Sequence, residues 1–418
     1  VSQNILGMIG FSCYVLADSY FISIAKGADG LTALNLVMPL YSIIFSIGEM
    51  IGVGSAIRYA ISKIKKDADA DDYFWNALIW CILSSMLFVF AGIFFSADIM
   101  RVLGADEHIV AVGNNYTKIF MCFAPMFMCN YVTNAFVRND GAPGIAMSAT
   151  LFSSLFNIVF DYILMFPMNL GMEGAALATA LSPIIGMGIC SIHFFSKKSS
   201  VRLVVCKPSV RKLVAGCQLG VSAFVGEMSS AVITLAFNFV ILKLAGNVGV
   251  AAYGVVANIA IVTTAVFNGV AQGSQPLISS CFGRGDKDGC TQLKRMGYTT
   301  AFVLAAVMYS ILFIFAGQFV AVFNSEGSEM LRLYATEGVK LYFIGIFFAG
   351  INIVGGGAFS ATEDAFKAAV VSVARGFVLI LGAVFVMSAL FGMTGVWLAY
   401  AVAEGITTFI MLVMVLRV

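Results

Sequence analysis

Residues 73–96 read YFWNALIWCILSSMLFVFAGIFFS, 24 positions without one charged side chain. At ~1.5 Å of rise per residue a helix of that length spans ~36 Å, enough to cross the ~30 Å hydrocarbon layer of a bilayer. A barrel strand needs far fewer residues, and only a helix or a closed barrel satisfies its backbone in lipid, so the run predicts a membrane-spanning helix. Apolar runs of this kind recur from end to end. Of the 418 residues, 60% are hydrophobic and 11% charged, against about 25% charged in ordinary soluble domains. That composition excludes a cytosolic enzyme, a secreted disulfide scaffold and a disordered chain.

Working outward from this run, the hydropathy predicts spans near 3–25, 32–57, 73–96, 113–136, 143–166, 174–196, 213–244, 250–282, 296–317, 332–358, 366–390 and 393–416. Twelve spans return the chain to the side on which it starts. The 24 basic residues divide unevenly between the two sides. Seventeen, from Arg58 and Lys63 through Arg138 to Arg417, fall on one side. Lys26, Arg101, Lys118, Lys243, Arg332 and Lys340 fall on the other, and Arg375 stays within a span. The positive-inside rule then puts both termini in the cytoplasm of a multi-pass cell-membrane protein. Val1 stands almost directly on an apolar stretch, so the native chain is expected to begin upstream of it. A net charge of +2 from 24 basic and 22 acidic groups gives no reason to expect a nucleic-acid partner. Nine dispersed cysteines and two histidines, His108 and His193, predict neither disulfides nor a zinc site.

The longest basic connection, Lys197 to Lys212, lies near the midpoint, and a repeat runs across it. Gly171-Met-Glu-Gly-Ala-Ala-Leu-Ala178 matches Gly392-Met-Thr-Gly-Val-Trp-Leu-Ala399, an offset of 221, and Gly54-Ser55 matches Gly273-Ser274, an offset of 219. Two matches at nearly one offset indicate duplication, and six spans per copy relate the copies by an axis along the membrane normal. The predicted architecture is all-α: an N-terminal six-helix bundle (1–196), a cytoplasmic linker (197–212) and a C-terminal six-helix bundle (213–418), facing each other across a cleft. Pro39, Pro125, Pro183 and Pro276 fall in spans two, four, six and eight, where each removes a backbone bond and permits a kink.

An ionisable side chain in the hydrocarbon costs at least ~2.5 to 3.5 kcal/mol, so each one needs a partner or a purpose. Six stand out: Asp18, Glu49, Asp161, Glu227, Arg375 and Glu404. Counted from the predicted outer ends, Asp18 lies ~10 Å deep in span one and Asp161 ~8 to 9 Å deep in span five. Asn157 shares the face of Asp161, and Thr179 in span six lies ~8 Å deep. Two carboxylates in a dry pocket cannot both stay charged and unpaired; they share a proton, bind a cation, or both. This predicts a proton or sodium site at Asp18, Asn157, Asp161 and Thr179, against the alternative that the two acids merely bond neighbouring helices. Arg375 and Glu404 flank the hairpin of spans eleven and twelve, either as a structural salt bridge or with Arg375 as a counter-charge that re-pairs during transport. Glu227 either faces the cleft and attracts a cationic substrate or pairs with another helix. Glu49 either serves the substrate or solvates toward the cytoplasmic vestibule.

Several motifs together resemble the multidrug and toxic compound extrusion (MATE) transporters of the bacterial and archaeal drug-efflux branch. They are Leu16-Ala-Asp-Ser-Tyr-Phe21, Arg138-Asn-Asp-Gly-Ala-Pro143, Asn157-Ile-Val-Phe-Asp161, Gly174-Ala-Ala-Leu-Ala-Thr179 and Gly269-Val-Ala-Gln-Gly-Ser-Gln-Pro276 running toward Gly283-Arg-Gly-Asp286. The resemblance covers essentially the whole chain. It implies a V-shaped monomeric antiporter that uses no cofactor and expels organic cations while protons or sodium ions enter. It also implies a cation site at Asp18, Asn157, Asp161 and Thr179, with the Ala175 carbonyl as a further ligand. The chain departs from some members at Asn352, where they carry an aspartate in span ten, and at Val221, where many place proline. A C-terminal cation site is therefore not expected.

Competing readings are a lipid-linked saccharide flippase of the same superfamily, a carrier of the major facilitator type, and an intramembrane aspartyl enzyme built on Asp18 and Asp161. The loop between spans two and three, Arg58-Tyr-Ala-Ile-Ser-Lys-Ile-Lys-Lys-Asp67, lacks the G-x-x-x-D-R signature of the facilitator carriers. Two distant histidines leave no Ser–His pairing for hydrolysis.

Overall fold

A computed structural model describes residues 2–67, 69–202, 204–323 and 328–416; Val1 and Arg417 lie outside the described residues. Helices begin where the sequence offers a cap. The side chains of Asp106, Ser209, Asp286, Ser328 and Asp364 accept from backbone N–H groups three residues on, and Pro143 stands at the start of span five, where its missing N–H costs nothing.

The apolar helices are Ser2–Gly27, Thr32–Ile64, Asp72–Val102, the bent pair Glu107–Cys122 and Ala124–Asn139, Pro143–Met165, Gly171–Phe194, Val210–Gly246, Val248–Gly283, Lys287–Ile314, Glu329–Ala361 and a 51-residue stretch Ala365–Val415. As one straight helix the last would be ~77 Å long, more than twice the hydrocarbon thickness. It is divided at Gly392, whose backbone (φ 59°, ψ −134°) is not helical. This division gives the twelve crossings of two six-helix bundles.

Gly27 (φ 57°, ψ −142°) and Gly246 (φ 60°, ψ −156°) divide spans one and two and spans seven and eight in the same way. A side chain in this left-handed region meets the backbone, which selects glycine. Gly246 follows Gly27 by 219 positions, and Gly392 follows Gly171, also at positive φ (51°), by 221. The backbone thus repeats at the two offsets found in the sequence. Spans four and ten are interrupted at equivalent points: a 46° bend at Phe123 and a 3-10 turn at Phe343–Gly345. Only in span four does a proline coincide with the break. Pro125 opens its second piece, whereas Pro39, Pro183 and Pro276 lie within helices that continue through them.

The contacts between the two halves gather on the side carrying the basic loops. A methyl on Gly54 would fall on the Gly216 carbonyl and the Gly220 nitrogen, and one on Gly220 would fall on the Met50 carbonyl. Gly269 packs against Ile5 and Gly283 against Ile64. Glu363 pairs with Arg58, and with Lys65 at 3.5 Å. Arg138, assigned by the sequence to a basic loop, is instead only 5% exposed and donates from Nη1 to Gln272 of the opposite half at 2.7 Å. The last turn of span four reaches far enough under the C-terminal half to bury it.

Candidate functional site

Spans one, five and six bring the predicted acidic site together. Asn157 and Asp161 are completely buried, and Thr179 and Asp18 are 2% and 7% exposed. The 3.6-residue period puts Asn157 and Asp161 on one face of span five, directed at span six. The Asn157 amide is satisfied with its NH2 donating to Asp161 Oδ2 at 3.1 Å, while its carbonyl accepts from Thr179 N and Thr179 Oγ1, each at 3.2 Å. Asp18 lies within electrostatic reach of Asp161. Ala175, fully buried one turn before Thr179, belongs to the same wall.

One oxygen of each acid, Asp18 Oδ1 and Asp161 Oδ1, is buried without a hydrogen-bond partner among the described residues. Buried polar atoms are nearly always bonded, and leaving one unbonded costs ~1 to 3 kcal/mol, more when it is charged. The donor set of two carboxylates, an amide and a hydroxyl is hard and oxygen-rich, which suits a proton or a sodium ion. Between the ends of the same three spans that lie away from the basic loops, a cavity of about 410 Å³ is lined by residues including Ala25, Met165, Phe166 and Leu170.

A tyrosine cluster beside the acids was missed at the sequence level. The charges of Asp18 and Asp161 reach the hydroxyls of Tyr14, Tyr41 and Tyr116. Tyr41 and Tyr116 share a hydrogen bond, and Tyr41 stacks on Phe120 with centroids 3.6 Å apart. Tyr14 could have been found, since it precedes Asp18 by one helical turn; Tyr41 and Tyr116 sit on other spans and carry no such signal.

The remaining candidates form two separate groups. Glu49 on span two, half-buried, lies within electrostatic reach of Glu227 on span seven and of Arg138, so this group bridges the two halves. The charge of Glu227 also reaches Tyr14, which therefore stands between this group and the Asp18 site. In the C-terminal half Arg375 Nε donates to Glu404 Oε1 at 2.7 Å. Asn352 Nδ2 donates to Glu404 Oε2 at 2.7 Å, and Asn352 Oδ1 accepts from Thr408 Oγ1 at 3.0 Å. The ion-pair reading of Arg375 and Glu404 matches this geometry.

His193 and the Arg138-Asn-Asp-Gly-Ala-Pro143 segment meet on the basic side. Asp140 Oδ2 receives His193 Nε2 at 2.8 Å, Ser200 N at 2.9 Å and Ser199 Oγ at 3.3 Å. Asp140 Oδ1 receives Tyr59 OH at 3.3 Å and the Ser200 hydroxyl. Farther along, Arg202 N bonds Asp71, Ser209 N bonds Asn76 and Lys212 pairs with Asp72. The connection between the halves is thereby strapped to the N-terminal half.

Comparison with known proteins shows the family of the chain. The MatE family model matches residues 4–163 and 223–386. The multidrug export protein MepA of Staphylococcus aureus (strain MRSA252) is 27% identical over 405 residues, covering 94% of this chain and 87% of that protein. MepA of Staphylococcus saprophyticus is 26% identical over 400 residues with the same coverage. Among solved structures, the outward-facing conformation of a multidrug resistance MATE family transporter of the MOP superfamily superposes with a TM-score of 0.92 at 20% identity, over 99% of this chain and 93% of that one. A MOP superfamily transporter from Pyrococcus furiosus gives 0.90 at 20% identity, with the same coverage.

Proposed function

The chain belongs to the MatE family, and on that premise we propose that it is a multidrug efflux transporter working as a secondary antiporter: organic cations leave as protons or sodium ions enter, by alternating access. Family membership makes it a multi-pass membrane transporter and removes the aspartyl-enzyme alternative. The observation that carries the antiport reading is the pair of buried carboxylates, Asp18 and Asp161, each with an oxygen left unbonded inside one bundle. A cation taken up there neutralises the pocket and is held by Asp18, Asp161, Asn157, Thr179 and the Ala175 carbonyl, with the cavity at the outer ends of spans one, five and six as its approach.

Glu49 and Glu227, within electrostatic reach of each other from opposite halves and of Tyr131, supply the negative charge and aromatic surface that an organic cation needs. Tyr14 feels the charges of both Asp18 and Glu227. Filling one site with positive charge therefore weakens the other's hold on its cation, and the two ligands exchange through a population shift. The packing of Gly54, Gly216, Gly220 and Met50 supports a state closed on the basic side. We assign that side to the cytoplasm, with both termini there and the protein working as a monomer in lipid.

The test is efflux of a fluorescent aromatic monocation from proteoliposomes under separately imposed proton and sodium gradients. Wild type transports under at least one gradient. Asp18→Asn and Asp161→Asn each lose gradient-driven efflux while remaining folded and inserted. Transport by both variants at the wild-type rate overturns the assignment.

A further inference from the structure

We propose that Arg375 is a tethered counter-cation that keeps the buried Glu404 of the C-terminal half permanently neutralised, so that the coupling cation acts on the N-terminal half alone. The inference rests on reading the Asp18 and Asp161 pocket as the coupling site, and adds to it the reason why the second half carries no counterpart.

The paired glycine turns fix the register between the halves. From Gly27 and Gly246, Asp18 corresponds to Phe237; from Gly171 and Gly392, Thr179 corresponds to Tyr400. Any offset from 219 to 223 places the counterpart of Asp161 within Ile380, Leu381, Gly382, Ala383 and Val384, and that of Asn157 within residues 376–380, Gly-Phe-Val-Leu-Ile. Residues 376–384 hold no oxygen-bearing side chain. Aromatic packing fills the space instead: Phe237, fully buried, stacks on Tyr253 at 5.1 Å, and Tyr400 stacks on Tyr342 at 4.3 Å.

One turn beyond Tyr400 lies Glu404, 2% exposed. Both of its carboxylate oxygens are bonded, Oε1 by Arg375 and Oε2 by Asn352. Asp18 and Asp161 differ here, each leaving one oxygen free. Arg375 stands in a single π-helical turn, Ala374–Val378, a one-residue insertion that re-aims its side chain, and such turns are frequent at functional sites. Tyr342 and Tyr400 are the other titratable groups facing the pair. A guanidinium does not deprotonate in proteins. The C-terminal carboxylate is thus supplied with a cation that cannot leave, whereas the N-terminal pair must draw one from solution.

The experiment compares full-length Arg375→Met, Arg375→Lys and Arg375→Met/Glu404→Gln with wild type. Ion dependence of efflux is measured across pH in sodium and sodium-free buffers, and carboxyl protonation by infrared spectroscopy of the purified protein. Arg375→Met is expected to slow efflux at least about tenfold, because it strands a buried carboxylate. It should also add, beyond wild type, a protonated-carboxyl band or a further sodium dependence. The double variant, neutral at both positions, loses the added band and recovers wild-type ion dependence, and Arg375→Lys keeps it. Arg375→Met with no added band and unchanged ion dependence overturns the proposal, as does a folded double variant no more active than the single one. Failure of the underlying reading shows separately, as Asp161→Asn retaining coupled efflux in the wild-type background.

Discussion

Replacing Gly220 by alanine should pry the two halves apart on the basic side. The new methyl carbon would lie 2.7 Å from the Met50 carbonyl carbon, 2.9 Å from its Cα and closer still to its oxygen. Ordinary contact begins at 3.4 Å, so the carbonyl carbon alone demands about 0.7 Å of separation. The obstacle is backbone on span two and cannot rotate away. Overpacking of this kind costs about 1 to 3 kcal/mol. The cost falls only on the state in which spans two and seven touch, so the population open on that side should rise by roughly 5- to 150-fold relative to wild type. Spin labels at Lys197 and Arg284, exposed on opposite halves, report the change by double electron–electron resonance as growth of a longer distance. Gly226→Ala on the same helix is the control, since its methyl would enter open space and it shares the gain in helix propensity. Identical distance distributions for Gly220→Ala, Gly226→Ala and wild type would refute the assignment of this contact as the closing surface.

Glu363→Gln removes the charge shared by Arg58 and Lys65 across the halves. As the pairs are partly exposed, the same label pair should show a shift of about fivefold or less toward the open state. Asp140→Asn leaves His193, Tyr59 and the linker serines with an imperfect acceptor; we expect a loss of about 1 to 3 kcal/mol, read as a lower melting temperature in detergent and faster proteolysis at 197–209. Glu227→Gln should weaken binding of an aromatic monocation, measured by fluorescence anisotropy, while leaving binding of a neutral aromatic analogue unchanged.

The elements legible in sequence were those set by chemistry along the chain. Charge-free runs mark the spans, and depth counted from their ends brings Asp18, Asn157, Asp161 and Thr179 to one level. Contacts between spans distant in sequence were not legible. In lipid both the packed and the exposed faces of a helix are apolar, so periodicity does not say which way Glu49, Glu227 or Tyr41 points. Arg138 shows the same limit: a basic residue at a span end carries no sign of its burial, which comes with the approach of Gln272 from the other half. The break at Phe123 had a signal in Pro125, but Pro39, Pro183 and Pro276 carried the same signal without a break.

Three of the hairpins opposite the termini close on one left-handed glycine each, Gly27, Gly246 and Gly392. Such closures leave almost no protruding polypeptide for an antibody, a protease or a spliced-in tag to grasp. With both termini in the cytoplasm, as proposed above, reagents meant to recognise intact cells have little to bind at these hairpins. Fiducial domains for imaging belong instead on the longer connections of the opposite face.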